Sequence, residues 1–516
     1  MRVRTFTSLL VLSVSLALAN CGGDITGVKG TRFQKPLVLK INAGSAQMRQ
    51  YSSVMQNSLR QAGIPVEIEA AELNTVNDQV RKGQFQMAVG RWVGGNQDPI
   101  FLRDLFATKA PFNRAQYSNP ELDPVLDAAF NAATRDEARE GWVKAQETIS
   151  REIPMFPLWY ADQMVIARRN VGNIKVEPSG DWKFMAAVTA EGKQGPFVVA
   201  LESRPETFDQ LRGFDASSER IRQLVYNTLM RKDEKFDYVG ELATNVETSP
   251  DRLTHTFTLR DGVRFHNGKP LTAQDAKYTI ETLLASNSPK AGDFFEGAGD
   301  ARQPYVAAVE APDARTLVIR LNKPLVKLFP ALTSFGIIPQ GSAETQSTTL
   351  VGTGPFRYVS RDDAQQSVDL AANESYFGGA PSIKTLRVRT ILDANTLQAE
   401  LKSGGVDLAV VANLQPDTYK ALGQDPNLKV EQFQGSNVVY LVFNTQDEVV
   451  KDARVRQAVA YAIDREGIVR DLLLGQARVA HSILPDTSWA YVPGQTYTFN
   501  PEQSGRLLDE AGHRAQ

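Results

Sequence analysis

The sequence predicts an α/β protein of two like lobes. Strand-type alternation and helical periodicity follow one another along the chain, one β-α-β unit occurs twice far apart, and a short arginine motif is also duplicated. The length agrees, since 516 residues set an expectation of about two to four domains. Composition is globular, 42% apolar and 22% charged. With 57 Lys plus Arg against 59 Asp plus Glu, net charge −2, and no long basic block, nucleic acid and an anionic membrane surface are excluded as main partners.

The chain opens on a targeting segment: Arg2 and Arg4 precede an apolar stretch from Phe6 to Ala19 that is too short to span a bilayer comfortably. The only cysteine, Cys21, follows Leu18-Ala19-Asn20, which resembles the bacterial lipoprotein cleavage box except for Asn20. A single thiol in an exported chain forms no internal disulfide, so lipidation of Cys21 is the use expected of it, against an ordinary secretory peptide with an incidental cysteine. After Lys35 no stretch of 18 or more apolar residues follows, so only the anchor should meet the membrane.

Leu37 to Ile41 reads as an apolar strand, followed by a helix with Met48, Tyr51, Met55, Leu59 and Ala62 on one face and Gly63 as its stop. A helix opening at Ser118-Asn119-Pro120 buries Leu122, Val125, Leu126, Ala129 and Phe130, and the next carries Ala138, Trp142, Ala145 and Ile149. The β-α-β repeat runs Val66–Glu69, Thr75–Lys82, Phe85–Val89 in its first copy and Leu386–Arg389, Asn395–Ser403, Val406–Val410 in its second. The arginine motif, Arg220-Ile221-Arg222-Gln223 and Arg454-Val455-Arg456-Gln457, follows an apolar strand each time, Phe197–Leu201 and Val438–Phe443. Two homologous lobes with a cleft between them are the economical reading. Ligands of such sheets sit beyond the carboxyl ends of strands, which points to Gly90-Arg91-Trp92, Glu202-Ser203-Arg204, Val411-Ala412-Asn413 and Asn444. From about Leu229 to Leu350 the texture changes to short alternating strands, such as Leu253–Leu259 and Thr316–Leu321, with a capped helix from Thr272; this predicts an inserted α+β subdomain.

Leu259-Arg260-Asp261-Gly262-Val263-Arg264-Phe265-His266-Asn267-Gly268-Lys269-Pro270-Leu271-Thr272 resembles the long signature of the peptide, opine and nickel class (family 5) of ABC-importer solute-binding proteins, as do Gly352-Thr353-Gly354-Pro355-Phe356, Tyr440–Thr445 and Asp452–Ala458. The resemblance implies the two-lobed periplasmic-binding-protein-like fold, type II, of the large peptide-binding class. Block order departs from the family: Leu37 to Val188 resembles the family's C-terminal third yet comes first, which implies a circular permutation with the old ends joined near Ala190 to Gly195. The expected organisation is a signal peptide at 1–21, a tether at 22–34, and one lobe (B) from 35–157 and 435–516. The other lobe (A) comprises 158–190, 198–228 and 351–434, with the joining linker at 191–197 and the inserted subdomain at 229–350.

The family's peptide binders carry a loop Trp-x-Gly/Ala-Asp-x-x-Asp-Pro whose first Asp receives the peptide ammonium. Here the loop reads Trp92-Val93-Gly94-Gly95-Asn96-Gln97-Asp98-Pro99, with Gly95 in place of that Asp. A buried ammonium without a partner costs several kcal/mol, whereas Arg91 suits a carboxylate or, equally, a lobe-lobe salt bridge. Trp92 offers a flat face to a ligand. Asn437 and Tyr440 lie at the predicted crossing between lobes, where they meet ligand or satisfy hinge backbone, and Trp489 and Tyr491 lie in a loop that faces the cleft or packs under a strand. Arg204 completes the set of expected ligand contacts.

Catalysis finds no support. His255, His266, His481 and His513 are dispersed without metal-ligand spacing, no nucleophile-elbow, zincin or phosphate-loop pattern occurs, and no cofactor is implied. His266 belongs to the signature and is expected in a turn or core. The expected function is a monomeric, exported, lipid-anchored receptor that hands a small peptide or peptide-like solute to an ABC permease. A sensor or chaperone lipoprotein and a hydrolase on the same scaffold stand as alternatives.

Overall fold

The computed structural model describes residues 31–92, 98–110, 112–132, 134–213, 215–233, 236–296, 302–411 and 414–515. The signal segment, Cys21 and most of the tether fall outside them. An eleven-stranded sheet runs through the molecule. Its strands are β1 (Leu37–Asn42), β2 (Val66–Ala71), β3 (Met87–Trp92), β4 (Met155–Arg168), β5 (Phe197–Leu201), β6 (Phe356–Asp362), β7 (Ser367–Ala372), β8 (Thr385–Thr390), β9 (Leu408–Val411), β10 (Leu428–Phe443) and β11 (Ala477–Val479). They lie side by side in the order β6-β7-β8-β5-β9-β4-β10-β3-β1-β2, with β11 against β4.

That order contains one pattern twice. In lobe B, β2 and β3 flank β1 in parallel and β10 pairs with β3 antiparallel; in lobe A, β8 and β9 flank β5 in parallel and β4 pairs with β9 antiparallel. Each β-α-β copy predicted from sequence therefore occupies the same place in its lobe, with helices Leu73–Arg81 and Ala394–Ser403 as the crossovers. The counterpart of β5 is β1, not the Val438–Phe443 strand that the arginine motif suggested. That segment is the end of β10, an antiparallel crossing strand. What the two arginine motifs share is local: Arg222 and Arg456 are both buried and donate to backbone carbonyls, Arg222 to Thr207 and Gly213, Arg456 to Glu152, Ile153, Val450 and Lys451.

Two long strands carry the chain between lobes. β4 and β10 pair along their lengths, from Leu428 opposite Arg168 to Val442 opposite Met155. β4 is buried and apolar along most of its length, whereas β10 is continuously so only from Val438 to Phe443, its first half carrying Lys429, Glu431, Gln432 and Gln434. The register breaks between Phe433 and Asn437, opposite Ala161 to Gln163, and here β4 exchanges its lobe B neighbour β11 for its lobe A neighbour β9. The lobe boundary expected at 434/435 falls in this bulge, while the one expected at 157/158 lies a few residues before its partner segment Ala161 to Gln163. A Cβ on Gly435 would collide with the Ala161 carbonyl oxygen, so only glycine lets the strands approach here.

The inserted subdomain is a four-stranded antiparallel sheet, Ala243–Thr248, Thr254–Leu259, Thr316–Leu321 and Val306–Glu310 in spatial order. Helix Ala273–Leu284 packs on it, held by the Thr272 and Asp275 capping box. Its core is continuous with that of lobe A, from Phe257 and Ile280 to Phe197 and Val388. At the ends of the described chain, Leu37, Leu39 and Ile41 share a core with Leu507 and Leu508 of helix Pro501–Glu510. Arg32 pairs with Asp509, and Phe33 stacks on His513 at 4.6 Å. Residues Glu191 to Gly195 form an exposed connection apart from Lys193, which pairs with Asp407 at 2.6 Å. Among the described residues, no helix is long and apolar enough to cross a membrane.

Candidate functional site

Strand alternation decides where the residues that end β3 point. Met87 and Val89 enter the core that holds Tyr51 and Trp159, and Ala88 the core that holds Phe106 and Tyr440. Arg91 therefore takes the first face and Trp92 the second, so these neighbours in sequence do not act side by side.

Trp92 gathers an aromatic cluster. Its ring stacks on Tyr440 at 5.8 Å and meets Phe101 and Phe112 edge-on at 5.3 and 6.0 Å. The Arg114 guanidinium lies 4.2 Å from its centroid and donates to the Tyr440 hydroxyl at 3.1 Å. Tyr440 is fully buried, so it supports Trp92 from beneath and does not line open space. Burial raises its phenol, with Arg114 pulling the other way, and the hydroxyl stays protonated. A Cβ on Gly90 would strike the Tyr440 ring; glycine there is the condition for the stack. Phe112, 46% exposed, keeps one side of the cluster open, and the Trp92 Nε1 is buried without a partner among the described residues.

Next to this cluster the inserted subdomain closes on lobe B. Asp98 accepts the Ile100 backbone N–H at 3.0 Å and the Tyr238 hydroxyl. Arg135 pairs with Asp237, donates to the Phe236 carbonyl at 2.9 Å, and lies 4.9 Å over the Trp489 ring. Lys327 reaches Asp104 at 3.3 Å, and Arg252 donates to the Ala132 carbonyl at 3.2 Å. Burial and the Asp98 carboxylate together hold the Tyr238 phenol far above its ordinary value.

The other sequence-predicted residues scatter. Asn437 is half-buried at the crossing, opposite Ala161. Tyr491 lies near Arg478 and Asp486, charges that belong to the crossing because Arg478 also binds the Gly435 carbonyl at 2.8 Å. Trp489 faces the subdomain through Arg135. Arg204 is exposed and lines a depression on lobe A with Phe208, Arg361 and Asp363, away from Trp92. Asn444 is a correction: β10 runs antiparallel to β3, so its carboxyl end lies at the amino end of β3, where the Asn444 amide binds the Gly83 and Phe85 carbonyls. Gly94, Gly95, Asn96, Ala412 and Asn413 lie outside the described residues. Arg114, Phe112 and Tyr238 escaped sequence reading, because only the tertiary fold brings them to Trp92, Tyr440 and Asp98.

The profile of the bacterial extracellular solute-binding proteins, family 5 (middle), matches residues 17–114 and 237–516. The chain belongs to this family. Heme-binding protein A of Haemophilus influenzae is 29% identical over 399 residues, 72% of this chain and 69% of its own. A Brucella ovis protein named for peptide binding in an ABC transporter is 33% identical over 299 residues, 56% of this chain, and the match spans 54% of that relative's length. The substrate-binding protein CtaP of Listeria monocytogenes superposes with a TM-score of 0.52 at 25% identity over 62% of this chain and 65% of its own. HbpA2 of Haemophilus parasuis gives 0.51 at 28%, over 62% and 67%. Within this family 5 chain the signature histidine is structural: His266 Nε2 meets the Gly354 carbonyl at 3.0 Å while Nδ1 accepts the Gly352 N–H at 3.4 Å. Among the described residues, no three His, Cys, Asp or Glu side chains are grouped so as to hold a metal ion.

Proposed function

We propose that this chain is the extracytoplasmic receptor of an ABC importer, closing lobes A and B over a small peptide or peptide-like solute and presenting the closed form to a permease. The observation that carries the reading is the pair of crossing strands: β4 and β10 join two lobes of the same strand order, and their register shifts between Phe433 and Asn437 and again between Val439 and Tyr440. A two-stranded connection of this kind is compatible with hinge closure. The Trp92 cluster stands at a strand end by the closing surface, where an aromatic face contributes most to capture. Lipidation at Cys21 would hold the receptor at the membrane; loss of detergent-phase partitioning in Cys21→Ser with an unchanged melting temperature is the expected result.

Circular permutation belongs to the same proposal. One fact favours it: the strand β1 and the helix Pro501–Glu510 share one core, as consecutive elements usually do.

A thermal-shift screen with peptides, opines, amino acids, heme and metal chelates tests the function. A compound that raises the melting temperature and is recovered unaltered supports a receptor; turnover would point to a hydrolase and silence to a sensor or chaperone.

A further inference from the structure

One short helix of lobe B serves two surfaces at once. Helix Ile100–Phe106 buries Leu102, Leu105 and Phe106 in the lobe core. Along its other, half-buried side run Asp98, just ahead of the helix, then Phe101 and Asp104, each three positions after the last and so aligned on one face. Phe101 meets the Trp92 ring edge-on at 5.3 Å. The two acids that flank it are both taken by the inserted subdomain: Asp98 accepts the Tyr238 hydroxyl, and Asp104 pairs with Lys327 at 3.3 Å.

These contacts come from separate parts of the subdomain. Tyr238 belongs to the hairpin of Met230–Lys232 and Tyr238–Gly240, and Lys327 immediately precedes helix Leu328–Leu332, so two elements grip the two ends of one lobe B helix. Both oxygens of Asp98 are engaged, one by the Ile100 N–H at 3.0 Å and the other by Tyr238. Arg135 with Asp237, and Arg252 with the Ala132 carbonyl, extend the same contact. The subdomain shares its core with lobe A, so its docking on lobe B joins the two lobes at a place other than the crossing strands. Half-exposed polar pairs of this kind are each worth little, and they release without disturbing either core.

We propose that Tyr238 and Lys327 are positioning residues of the Trp92 site: docked on Asp98 and Asp104, they hold the subdomain over the face that carries Phe101 and Trp92, and their release opens that face. Asp98 then acts as a docking point for the subdomain, not as a contact for the solute. The aromatic face is walled in when the subdomain is docked and exchanges with solvent when it is not. The bearing of this on solute entry rests on the Trp92 cluster being the solute site.

The test is fluorine magnetic resonance of the full chain labelled with 5-fluorotryptophan, with no solute added. Of the five tryptophans, Trp92 is identified by the line lost in Trp92→Phe, and Trp142, Trp159 and Trp182, all fully buried, report on the fold. In Tyr238→Phe, which removes a single oxygen, the Trp92 line is expected to shift, broaden and relax severalfold faster in the presence of a soluble gadolinium chelate, while the three core lines stay in place. Lys327→Gln should do the same and Lys327→Arg should restore the original line. Arg320→Gln, which breaks the exposed pair with Glu310 on the subdomain sheet, leaves it unchanged. Lys327 lies at a half-buried position, so Lys327→Gln decides the matter if Tyr238→Phe disturbs the core lines. A Trp92 line with the same position and the same response to the chelate in Tyr238→Phe and Lys327→Gln as in the unaltered protein overturns the proposal. Since no solute is present, that result would leave the receptor reading to its own thermal-shift screen.

Discussion

Trp92 is held from four sides, by Tyr440 beneath, Phe101 and Phe112 at its edges and Arg114 over its face, so its ring is fixed before any ligand arrives. Preorganisation of that kind makes an aromatic contact worth its full area. Trp92→Ala is expected to weaken whichever solute the screen finds by about 1 to 3 kcal/mol and, because the ring is packed against four neighbours, to lower the melting temperature of the free protein as well; calorimetric titration reads the first and a thermal scan the second. His266 makes a separate prediction. Burial lowers its imidazole from 6.5 to about 4, and both ring nitrogens are engaged as a neutral histidine requires. Above pH 6.5 neither state binds the proton. As pH falls toward 4 the unfolded chain gains it and the native one does not, so on the order of 2 to 3 kcal/mol of stability is lost across that window. Denaturant unfolding at several pH values should show this slope, flattened in His266→Gln. Trp92 was legible because it ends a strand in a recognisable loop. Arg114 and Tyr238 were not, since their partners Tyr440 and Asp98 lie 326 and 140 residues away, and nothing local marks them.

At the scale of elements, the crossing strands join the lobes. Gly435 lies in the β10 bulge against the Ala161 carbonyl, and Asp162 beneath it accepts from the Gly435 N–H at 3.2 Å and from Gln432 at 2.7 Å. Gly435→Ala must push the strands apart, and a cost of about 1 to 3 kcal/mol is expected by denaturant unfolding, as for an overpacked core; an unchanged midpoint would mean that the two strands already have room to separate. Sequence placed a crossing near Gly435 to Asn437, where the bulge lies, and it found both β-α-β copies because each is a local unit with a stop signal. It mistook the end of β10 for the partner of β5, because apolar runs read alike whether a strand runs parallel or antiparallel. Asn444 was misplaced for the same reason.

The molecule as a whole is two lobes of one strand order, tied by β4 and β10 and bridged a second time by the subdomain through Tyr238, Asp237 and Lys327. The bridges are few and polar, the kind of contact that forms and breaks at modest cost. Under the proposed function, a solute would shift such a molecule toward its closed form. The direct test is a distance between lobes. Spin labels on Glu140→Cys in lobe B and Thr244→Cys in the subdomain, both exposed positions, in a Cys21→Ser background, would be measured by pulsed electron resonance with and without the solute. A distribution that shortens and narrows on binding is the predicted result; identical distributions with the solute bound would contradict closure and with it the receptor reading.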